Sequence, residues 1–517
     1  MNGAQSLMGS LDAAGVTVCF ANPGTSELHL VAALDETPGI RGVLCLFEGV
    51  ATGAADGFAR MSSNPAATLL HQGPGLANGL ANLHNAQRAR TPVLNIVGAS
   101  ATTHRALNAP LESDVPALAA PMSRWVRTAA SAEAVGADAV AALQAAHRYP
   151  RGVATLIVPA DVAWSPNGEV SLPVADVPPS TVPTCEVNRV ANLLRRGSGT
   201  TLLLGGTALR QAGLAAARRI GEATGIQVMA EAFPARFQRG AGVSQVPQLS
   251  GDSIRARVQL ANTRLLVLVD ATMPVAAFGA PGVRGELIPL DCVVDRLGNE
   301  GDDVVTALAE LADVLAPNRP LRGTSNRPPP RTRTAPQSIL AAIAEPIATL
   351  LPEDAIVVDE ANTASPALSA AMDSAARHDL LSVCGFAIGE GLPLSIGAAM
   401  ACPQRQVVCL QADGSAMYTI SALWTQARER LNVTTIVMNN CGYSILRRED
   451  LRIRGVEAAA SELFDLTEPN LDFVALSIGM GVPAVRARSA NELANCLRRA
   501  FAEPGPHLID VSIADYV

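Results

Sequence analysis

The sequence predicts an α/β fold with three doubly wound parallel-sheet domains. Short apolar segments, such as residues 93–98, alternate with helical segments along the chain, a pattern typical of parallel sheets covered on both faces. A length of 517 residues allows about three domains at roughly 100–200 residues each. Residues 164–184 and 317–336 are rich in proline and have the composition of extended linkers. We therefore expect domains at residues 1–165, 185–315 and 336–517.

Charge and composition argue against two classes of partner. The net charge of −8 disfavours nucleic acid and anionic membrane surfaces, because both attract clustered Lys and Arg. The sequence has no segment of roughly 18 charge-free apolar residues, the length of a membrane span. Nine cysteines, none in a CxxC pair, lie mostly in apolar segments, which predicts buried thiols in a reducing compartment. We expect no nucleic-acid partner, no membrane partner and a cytoplasmic protein.

The strongest functional signal lies in the third predicted domain. Asp413 follows a predicted strand, Gly414 and Ser415 open the next helix, and Asn440 follows the next strand. Because parallel strands end at one edge of a sheet, Asp413, Asn440 and a loop carbonyl are expected to lie together. Such oxygen ligands suit Mg²⁺, and a helix start suits a phosphate. Either half alone is most often an ordinary turn, but together they indicate a metal-bridged diphosphate site.

Polar residues also follow three predicted strands of the first domain. Thr25 closes a turn, Glu48 opens an alanine-rich helix, and His71 precedes a glycine-rich segment. Each alone has an ordinary explanation: a turn residue, a carboxylate at a helix start, or a hydrogen-bonded histidine beside a turn. Since strand ends of one parallel sheet converge, we expect all three to line one crevice. There Glu48 and His71 would be suited to move protons.

These segments resemble the thiamine diphosphate (ThDP) enzyme family, in its acetolactate-synthase-like and benzoylformate-decarboxylase-like branch. The resemblance is carried by Asp413-Gly414 with Asn439-Asn440, by Phe47-Glu48-Gly49, and by residues 415–424, 438–447 and 505–511. It covers most of the chain and implies a pyrimidine-binding, a central and a diphosphate-binding domain, in that order. In such enzymes the cofactor lies between the first domain of one subunit and the third domain of another. The resemblance therefore implies a homodimer or homotetramer with active sites at the subunit interface.

The resemblance also implies a catalytic role for several residues. Glu48 would bond the pyrimidine ring, Ile388 would bend the cofactor, and the Phe386 carbonyl would accept from its amino group. Thr25 and His71 match polar positions that face the substrate in benzoylformate decarboxylase.

Further residues are implied at the metal and the cofactor. Asp413, Asn440 and the Gly442 carbonyl would hold Mg²⁺. The other residues expected at the cofactor are Pro23, Gly24, Asn78, Asn362, Thr363, Gly414, Ser415, Tyr443 and Ile445.

The sequence departs from the family pattern at four positions. Ala412 stands where the family usually has a glycine, and Gly279 where benzoylformate decarboxylase has a second active-site histidine. Ile445 and Glu449 occupy positions that are smaller or aromatic there. Acetolactate synthases are usually longer and hold a flavin in the central domain, whereas the middle domain here is compact, so FAD is not expected.

The implied function is a ThDP- and Mg²⁺-dependent 2-oxo acid decarboxylase and carboligase of the acetolactate-synthase type, which breaks and forms carbon–carbon bonds. Two alternatives stay open: a non-ligating decarboxylase of the benzoylformate decarboxylase type, and a ThDP-binding paralogue without turnover. A nicotinamide dehydrogenase is disfavoured, because Asn78 follows Gly73-Pro74-Gly75 where the dinucleotide fingerprint needs a glycine.

Overall fold

The computed structural model describes residues 1–62, 64–173, 178–279, 282–317, 338–454 and 462–513. The chain forms two compact units. The first contains Met1–Asp176, Thr334–Ala371 and Val383–Val517, and the second contains Val177–Arg333 and Met372–Ser382. Of the two predicted linkers, residues 174–177 and 318–336 lie outside the described residues.

The N-terminal part of the first unit is built on a six-stranded sheet. Its strands are β1 (Val18–Asn22), β2 (Arg41–Leu44), β3 (Ala66–Leu70), β4 (Val93–Ala99), β5 (Trp125–Thr128) and β6 (Val153–Pro159). Its helices are α1 (Gly3–Ala13), α2 (Leu28–Asp35), α3 (Glu48–Ser62), α4 (Gln72–Arg88), α5 (Thr102–Arg105), α6 (Val115–Ala119), α7 (Ala132–His147) and α8 (Ala160–Trp164). The strand order is β2-β1-β3-β4-β6-β5, and neighbouring strands are parallel. Every residue of β3, β4 and β6 is buried, as expected for a parallel sheet covered on both faces.

The second unit contains a four-stranded sheet with the order β11-β10-β7-β8. The strands of this unit are β7 (Thr200–Leu204), β8 (Gln227–Ala230), β9 (Phe237–Arg239), β10 (Leu265–Val269) and β11 (Val293–Arg296). Its helices are α9 (Thr184–Leu194), α10 (Gln211–Thr224), α11 (Ser253–Leu260) and α12 (Val304–Leu315). The four sheet strands pair in parallel. Their core is mainly aliphatic, with Leu203, Leu266 and Leu268 buried at its centre.

The C-terminal part of the first unit holds five further sheet strands, in the order β16-β17-β15-β14-β12. They are β12 (Ala355–Glu360), β14 (Val407–Ala412), β15 (Val433–Asn439), β16 (Ala484–Ala487) and β17 (His507–Ser512), and they pair in parallel. Strand β13 (His378–Ser382) belongs to the second unit and pairs antiparallel with β9. The helices are α13 (Ile339–Leu350), α14 (Ser365–Met372), α15 (Gly391–Ala401), α16 (Asp413–Ala416), α17 (Ala422–Arg428), α18 (Ser444–Arg454), α19 (Phe473–Gly479) and α20 (Ala490–Ala502).

Two sequence-based expectations need correction. Only Cys19, Cys45 and Cys409 are buried, whereas Cys185 is exposed and the other cysteines are partly exposed, so the prediction of mostly buried thiols is wrong. The apolar segment of residues 42–47 predicts a strand of that length, but β2 ends at Leu44, because the chain leaves the sheet before α3 begins at Glu48. In the described part of the chain, no helix combines the length and the apolar character needed to cross a bilayer.

Helices α3 and α15 cross at very short range within the first unit. A Cβ atom on Gly397 would lie 1.8 Å from the Ala54 carbonyl oxygen, and a Cβ atom on Gly57 would lie 2.0 Å from the Leu394 carbonyl oxygen. Real Cβ atoms do not approach other atoms so closely, so these positions must be glycine. The crossing joins the N-terminal and C-terminal parts of the unit.

A buried ionic group lies at this crossing. The Arg60 guanidinium donates to Asp56 through Nε at 2.7 Å and Nη2 at 2.5 Å, and its Nη2 lies 3.1 Å from Oε1 of Glu390. All three side chains are at most 2% exposed. Burial raises the pKa of Glu390 well above its ordinary value. Removing the cation from such a group leaves carboxylates without water or a partner, which is strongly destabilising.

We predict that Arg60→Met lowers the free energy of unfolding by about 3–5 kcal/mol, the usual cost of breaking a buried ion pair on one side. Urea-induced unfolding followed by circular dichroism measures it. Arg454→Met is the matched control, because Arg454 also pairs with an aspartate four residues earlier but is 52% exposed. That change should cost at most about 0.5 kcal/mol. Equal urea midpoints for the two variants would contradict the prediction.

Candidate active site

Three predicted site residues follow adjacent strands of the first sheet. Strand β1 lies between β2 and β3, and Thr25, Glu48 and His71 come after β1, β2 and β3 respectively. The parallel arrangement therefore brings all three to the same edge, as the sequence predicts.

Glu48 is the first residue of α3, and its side chain is buried. Asn78 Nδ2 of α4 donates to Glu48 Oε2 at 3.0 Å. A Cβ atom on Gly75 would lie 3.0 Å from Glu48 Oε1 and 3.3 Å from the Cβ atom of His71. The absence of a side chain at Gly75 thus leaves room beside both Glu48 and His71.

His71 is paired with a carboxylate that the sequence analysis missed. Its Nδ1 lies 2.7 Å from Oε2 of Glu27, which is fully buried. Glu27 Oε2 also accepts from the Gly24 N–H at 2.9 Å, and Glu27 Oε1 accepts from Ser26 Oγ at 2.8 Å. With its Nδ1 proton directed at Glu27, a neutral imidazole presents Nε2 as its proton acceptor. Glu27, three residues after Gly24, accepts from the Gly24 N–H and so forms the glutamate half of a capping box. A glutamate at this spacing from the start of a helix is the signal that could have identified Glu27.

The turn after β1 is built around this pair. A Cβ atom on Gly24 would lie 2.2 Å from His71 Nδ1, so only glycine allows the ring to come so close. Ser26 Oγ lies 3.2 Å from His71 Nδ1 and accepts from Gln72 Nε2 at 2.9 Å. Thr25, the residue predicted here, is exposed, and Pro23 of the same turn is half-buried. Ser26 is therefore the hydroxyl of this turn that contacts His71.

The second group of predicted residues lies at the edge of the C-terminal sheet. Asp413 is buried at the start of α16, and its Oδ2 accepts from the N–H groups of Asn440 at 3.1 Å and Gly442 at 3.2 Å. Asn440 Oδ1 accepts from the same Gly442 N–H at 3.2 Å. Burial raises the pKa of Asp413, and a bound cation would favour its charged form.

This donor set fits Mg²⁺ and a diphosphate. Across the described residues, no three His, Cys, Asp or Glu side chains form a metal-binding group; a carboxylate, an amide oxygen and a carbonyl are the ligands Mg²⁺ takes beside phosphate and water. The ring of Tyr443 covers Gly414, where a Cβ atom would lie 2.5 Å from Tyr443 Cε1. Ser444 Oγ is buried and has no hydrogen-bond partner among the described residues, which leaves it available to a phosphate oxygen.

The remaining predicted positions lie around this edge. Asn362 and Thr363 form a 3-10 turn directly after β12, the neighbour of β14. Ser415 Oγ accepts from Gln411 Nε2 at 2.6 Å. Ile445 is half-buried in the first turn of α18, and Glu449 of the same helix pairs with Arg452 at 2.9 Å. Gly279 lies in the second unit, where an added Cβ atom would meet open space.

The segment with Phe386 and Ile388 is held by a second carboxylate that the sequence analysis missed. Glu360, buried at the end of β12, accepts from the N–H groups of Gly389 at 2.5 Å and Gly391 at 2.6 Å. Burial raises the pKa of Glu360, and these hydrogen bonds oppose the shift. Phe386 is 43% exposed and has a left-handed backbone with φ of 63°. No short motif marks Glu360, because its partners lie far away in sequence.

Comparison with known proteins gives a consistent result. The family described as "Thiamine pyrophosphate enzyme, N-terminal TPP binding domain" matches residues 1–118, and the corresponding C-terminal TPP binding domain matches residues 368–511. A protein of Mycobacterium tuberculosis, provisionally named acetolactate synthase large subunit IlvX, is 50% identical over 100% of both chains. Benzoylformate decarboxylase of Pseudomonas aeruginosa is 29% identical over 96% of both chains.

A solved structure agrees with this assignment. The ThDP-dependent 4-hydroxybenzoylformate decarboxylase of Rhodococcus jostii RHA1 superposes with a TM-score of 0.85 at 25% identity and covers 99% of both chains. The two matched family domains contain the two groups of residues at the sheet edges, and the relatives and the solved structure point to the same family. The chain therefore belongs to the thiamine pyrophosphate (thiamine diphosphate) enzyme family.

Proposed function

We propose that the protein is a ThDP- and Mg²⁺-dependent 2-oxo acid decarboxylase and carboligase of the acetolactate-synthase type. The observation that carries this proposal is the pair of sheet edges: Glu48 held by Asn78 at one, and Asp413 beside Asn440 at the other. The 50% identity to a relative named as an acetolactate synthase subunit supports the ligating activity. We further propose a homodimer or homotetramer with active sites at the interface; a cytoplasmic location stays a prediction.

Each group of residues has a distinct task in this proposal. Bound ThDP would supply the nucleophilic carbon and the electron-accepting ring that loss of CO₂ from a 2-oxo acid requires. Glu48 would hold a proton at the pyrimidine ring. Asp413, Asn440 and the Gly442 carbonyl would hold Mg²⁺ against the diphosphate. The domains proposed for these tasks are residues 1–165 for the pyrimidine and 336–517 for the diphosphate, with 185–315 between them.

The substrate is handled by the residues of the first sheet edge. His71, fixed at Nδ1 by Glu27, would exchange a proton with the reacting substrate through Nε2. Thr25, which is exposed in the turn after β1, would orient the substrate carboxylate. Ile388 and the Phe386 carbonyl would contact the cofactor from the segment that Glu360 holds.

The second unit supports the proposal that no flavin is bound. The loop after β7 begins with two glycines, Gly205 and Gly206, but N–H groups in this loop face the chain's own carboxylates. Thr207 N donates to Asp270 Oδ2 at 3.0 Å, and Gly206 N lies 3.3 Å from Glu231 Oε1. A phosphate at this loop would be repelled by both side chains. We therefore propose ThDP and Mg²⁺, without FAD, as the cofactors.

The metal and diphosphate assignment predicts how cofactor binding responds to Asp413→Asn. Removing this charge should weaken binding of ThDP with Mg²⁺ about 100-fold, the upper range for residues that support a metal. Near-ultraviolet circular dichroism of the purified protein, titrated with ThDP and Mg²⁺, measures the dissociation constant. Asp313→Asn, at an exposed carboxylate of the second unit, is the control and should match the wild type. Equal affinity in both variants would remove Asp413 from the metal site.

The reaction class predicts the products formed from pyruvate. A carboligase should release CO₂ and join the remaining two-carbon fragment to a second pyruvate or to an added aldehyde. Product analysis by NMR, with and without an acceptor aldehyde, measures this.

Glu48→Gln should bind ThDP yet turn over at least about 100-fold more slowly, the usual contribution of proton transfer. Near-normal turnover in Glu48→Gln would sink the assignment of Glu48.

The alternative is a decarboxylase that releases an aldehyde. The His71–Glu27 pair favours this alternative. Release of an aldehyde requires a proton donor for the fragment that remains after CO₂ is lost, and His71 could supply that proton. Ligation instead requires a second carbonyl compound that this fragment attacks. The named decarboxylases among the relatives and the solved structures support it as well. Free aldehyde as the sole product, from pyruvate or benzoylformate, would favour this alternative. Tight ThDP binding without turnover of either acid would favour the silent paralogue.

The pairing with Glu27 predicts a measurable effect on turnover. Glu27→Gln keeps the size of the side chain but removes the charge that orients His71, so kcat/KM should fall about 100-fold with an unchanged dissociation constant for ThDP. Steady-state kinetics and the cofactor titration measure the two quantities. Glu36→Gln, at an exposed glutamate of the same domain, is the control. If His71→Ala and Glu27→Gln both turn over normally, the proton transfer assigned to this pair is wrong.

A further inference from the structure

Helix α4 carries three asparagines in one row. Asn78, Asn82 and Asn85 have the spacing i, i+4 and i+7, which places them on one face of the helix. Asn78 donates to the Glu48 carboxylate at 3.0 Å, and Asn82 donates to the Gly49 carbonyl at 2.8 Å. Asn85 donates to Asn82 Oδ1 at 3.1 Å. This asparagine row therefore contacts the start of α3, where Glu48 lies, through its first two members.

The last member of the asparagine row holds a segment of the C-terminal domain. Asn85 is fully buried, and it pairs with both backbone groups of Ala387: it accepts from the N–H at 3.2 Å and donates to the carbonyl at 2.8 Å. The neighbouring His84 Nε2 lies 3.0 Å from the Gly385 carbonyl oxygen. A Cβ atom on Gly385 would lie 2.5 Å from Asn85 Oδ1, so glycine is required for this approach.

The other end of the same segment is also fixed. Glu360 accepts from the N–H groups of Gly389 and Gly391, and Thr419 Oγ1 donates to the Gly389 carbonyl at 2.8 Å. The residues held in this way are alternate ones along the chain: 385, 387, 389 and 391. Between them lie Phe386 and Ile388, the two residues proposed to contact the cofactor.

The backbone of Phe386 shows why such fixing is needed. A left-handed conformation is unfavourable for a bulky residue, yet Phe386 has φ of 63°. Conformations of this kind persist where the surroundings over-determine them. Asn85 supplies two hydrogen bonds to the very next residue, and Glu360 supplies two more within five residues.

We propose that Asn85 is a positioning residue for the cofactor, an inference that rests on the proposed function. By fixing Ala387, Asn85 sets the conformation of the residues on either side of it, Phe386 and Ile388. Because Asn78 contacts Glu48 and Asn85 contacts Ala387, one helix face holds both the carboxylate and the segment proposed to contact the cofactor. With active sites at the subunit interface, these two parts of one chain would serve two different sites of the oligomer.

The test compares Asn85→Ala with a matched control, Asn95→Ala. Asn95 is equally buried and also makes two side-chain hydrogen bonds, with Thr68 at 2.8 Å and Thr155 at 3.0 Å, inside the first sheet. Both variants should lower the melting temperature, since each leaves buried polar groups without partners. Only Asn85→Ala should alter the segment of residues 385–391.

The first measurement is backbone amide exchange of the full chain without cofactor, followed by mass spectrometry. In Asn85→Ala, peptides covering residues 385–391 should exchange about tenfold faster, as expected when two hydrogen bonds of ordinary strength are lost. In Asn95→Ala these peptides should exchange as in the wild type. Unchanged exchange in Asn85→Ala overturns the proposal. Should Asn85→Ala fail to fold, His84→Ala, which removes the contact with Gly385 from a half-buried side chain, takes its place.

The second measurement uses protein saturated with ThDP and Mg²⁺. The rate at which the C2 proton of bound ThDP exchanges with deuterium, followed by acid quenching and NMR, should fall in Asn85→Ala but not in Asn95→Ala. The dissociation constant for ThDP should rise in the same variant alone. Faster amide exchange with both cofactor readouts unchanged would mean a purely structural role and overturn the proposal. Absence of ThDP binding by the wild type would instead overturn the proposed function, and the amide exchange without cofactor would still report on Asn85.

Discussion

Parallel alignment of strands is the constraint on which the whole candidate site depends. Strands that run in one direction end at one edge, so side chains far apart in sequence meet there without any special loop. Glu48 and His71 follow β2 and β3 of the first sheet, and Asp413 and Asn440 follow β14 and β15 of the C-terminal one. The same geometry would serve many reactions. What gives these edges their chemistry is the polar side chain that follows each strand, either directly or, for Glu48, after a short connection.

This arrangement buries several carboxylates, which is unfavourable because they lose their contacts with water. The structure compensates each of them with a different set of hydrogen-bond donors. Glu27 is held by a backbone N–H, a hydroxyl and an imidazole, Glu360 by two backbone N–H groups, and Asp56 by a guanidinium. Each buried acid thus has partners in place before any ligand arrives, which a stable fold requires. Asp413 shares this feature, but its N–H partners lie beside an amide oxygen. Because the Asn440 amide oxygen lies beside these N–H donors, the Asp413 carboxylate is a candidate metal ligand as well as a hydrogen-bonded acid.

The sequence alone identifies the strand-end residues because their positions depend on local order: a strand, a polar residue, then a helix. Glu48, His71, Asp413 and Asn440 all follow this rule. It does not identify Glu360 or Asn85, since their partners at residues 385–391 are distant in the chain and only tertiary packing brings them together. Glu27 falls between the two cases. Its spacing from Gly24 is a readable local signal, but its contact with His71 depends on the neighbouring strand.

Helix α4 links the features that a strand-end rule treats separately. Its N-terminal end follows His71, its middle contacts Glu48 and Gly49, and its later turns contact Gly385 and Ala387. A rigid helix with contacts along one face transmits position over its length, because its residues cannot move independently. Glu48 and the segment of residues 385–391 are therefore held in relation to each other by one element of the fold. Substitutions on this face of α4 would leave every strand-end residue in place. They would still change how Glu48 and residues 385–391 are held.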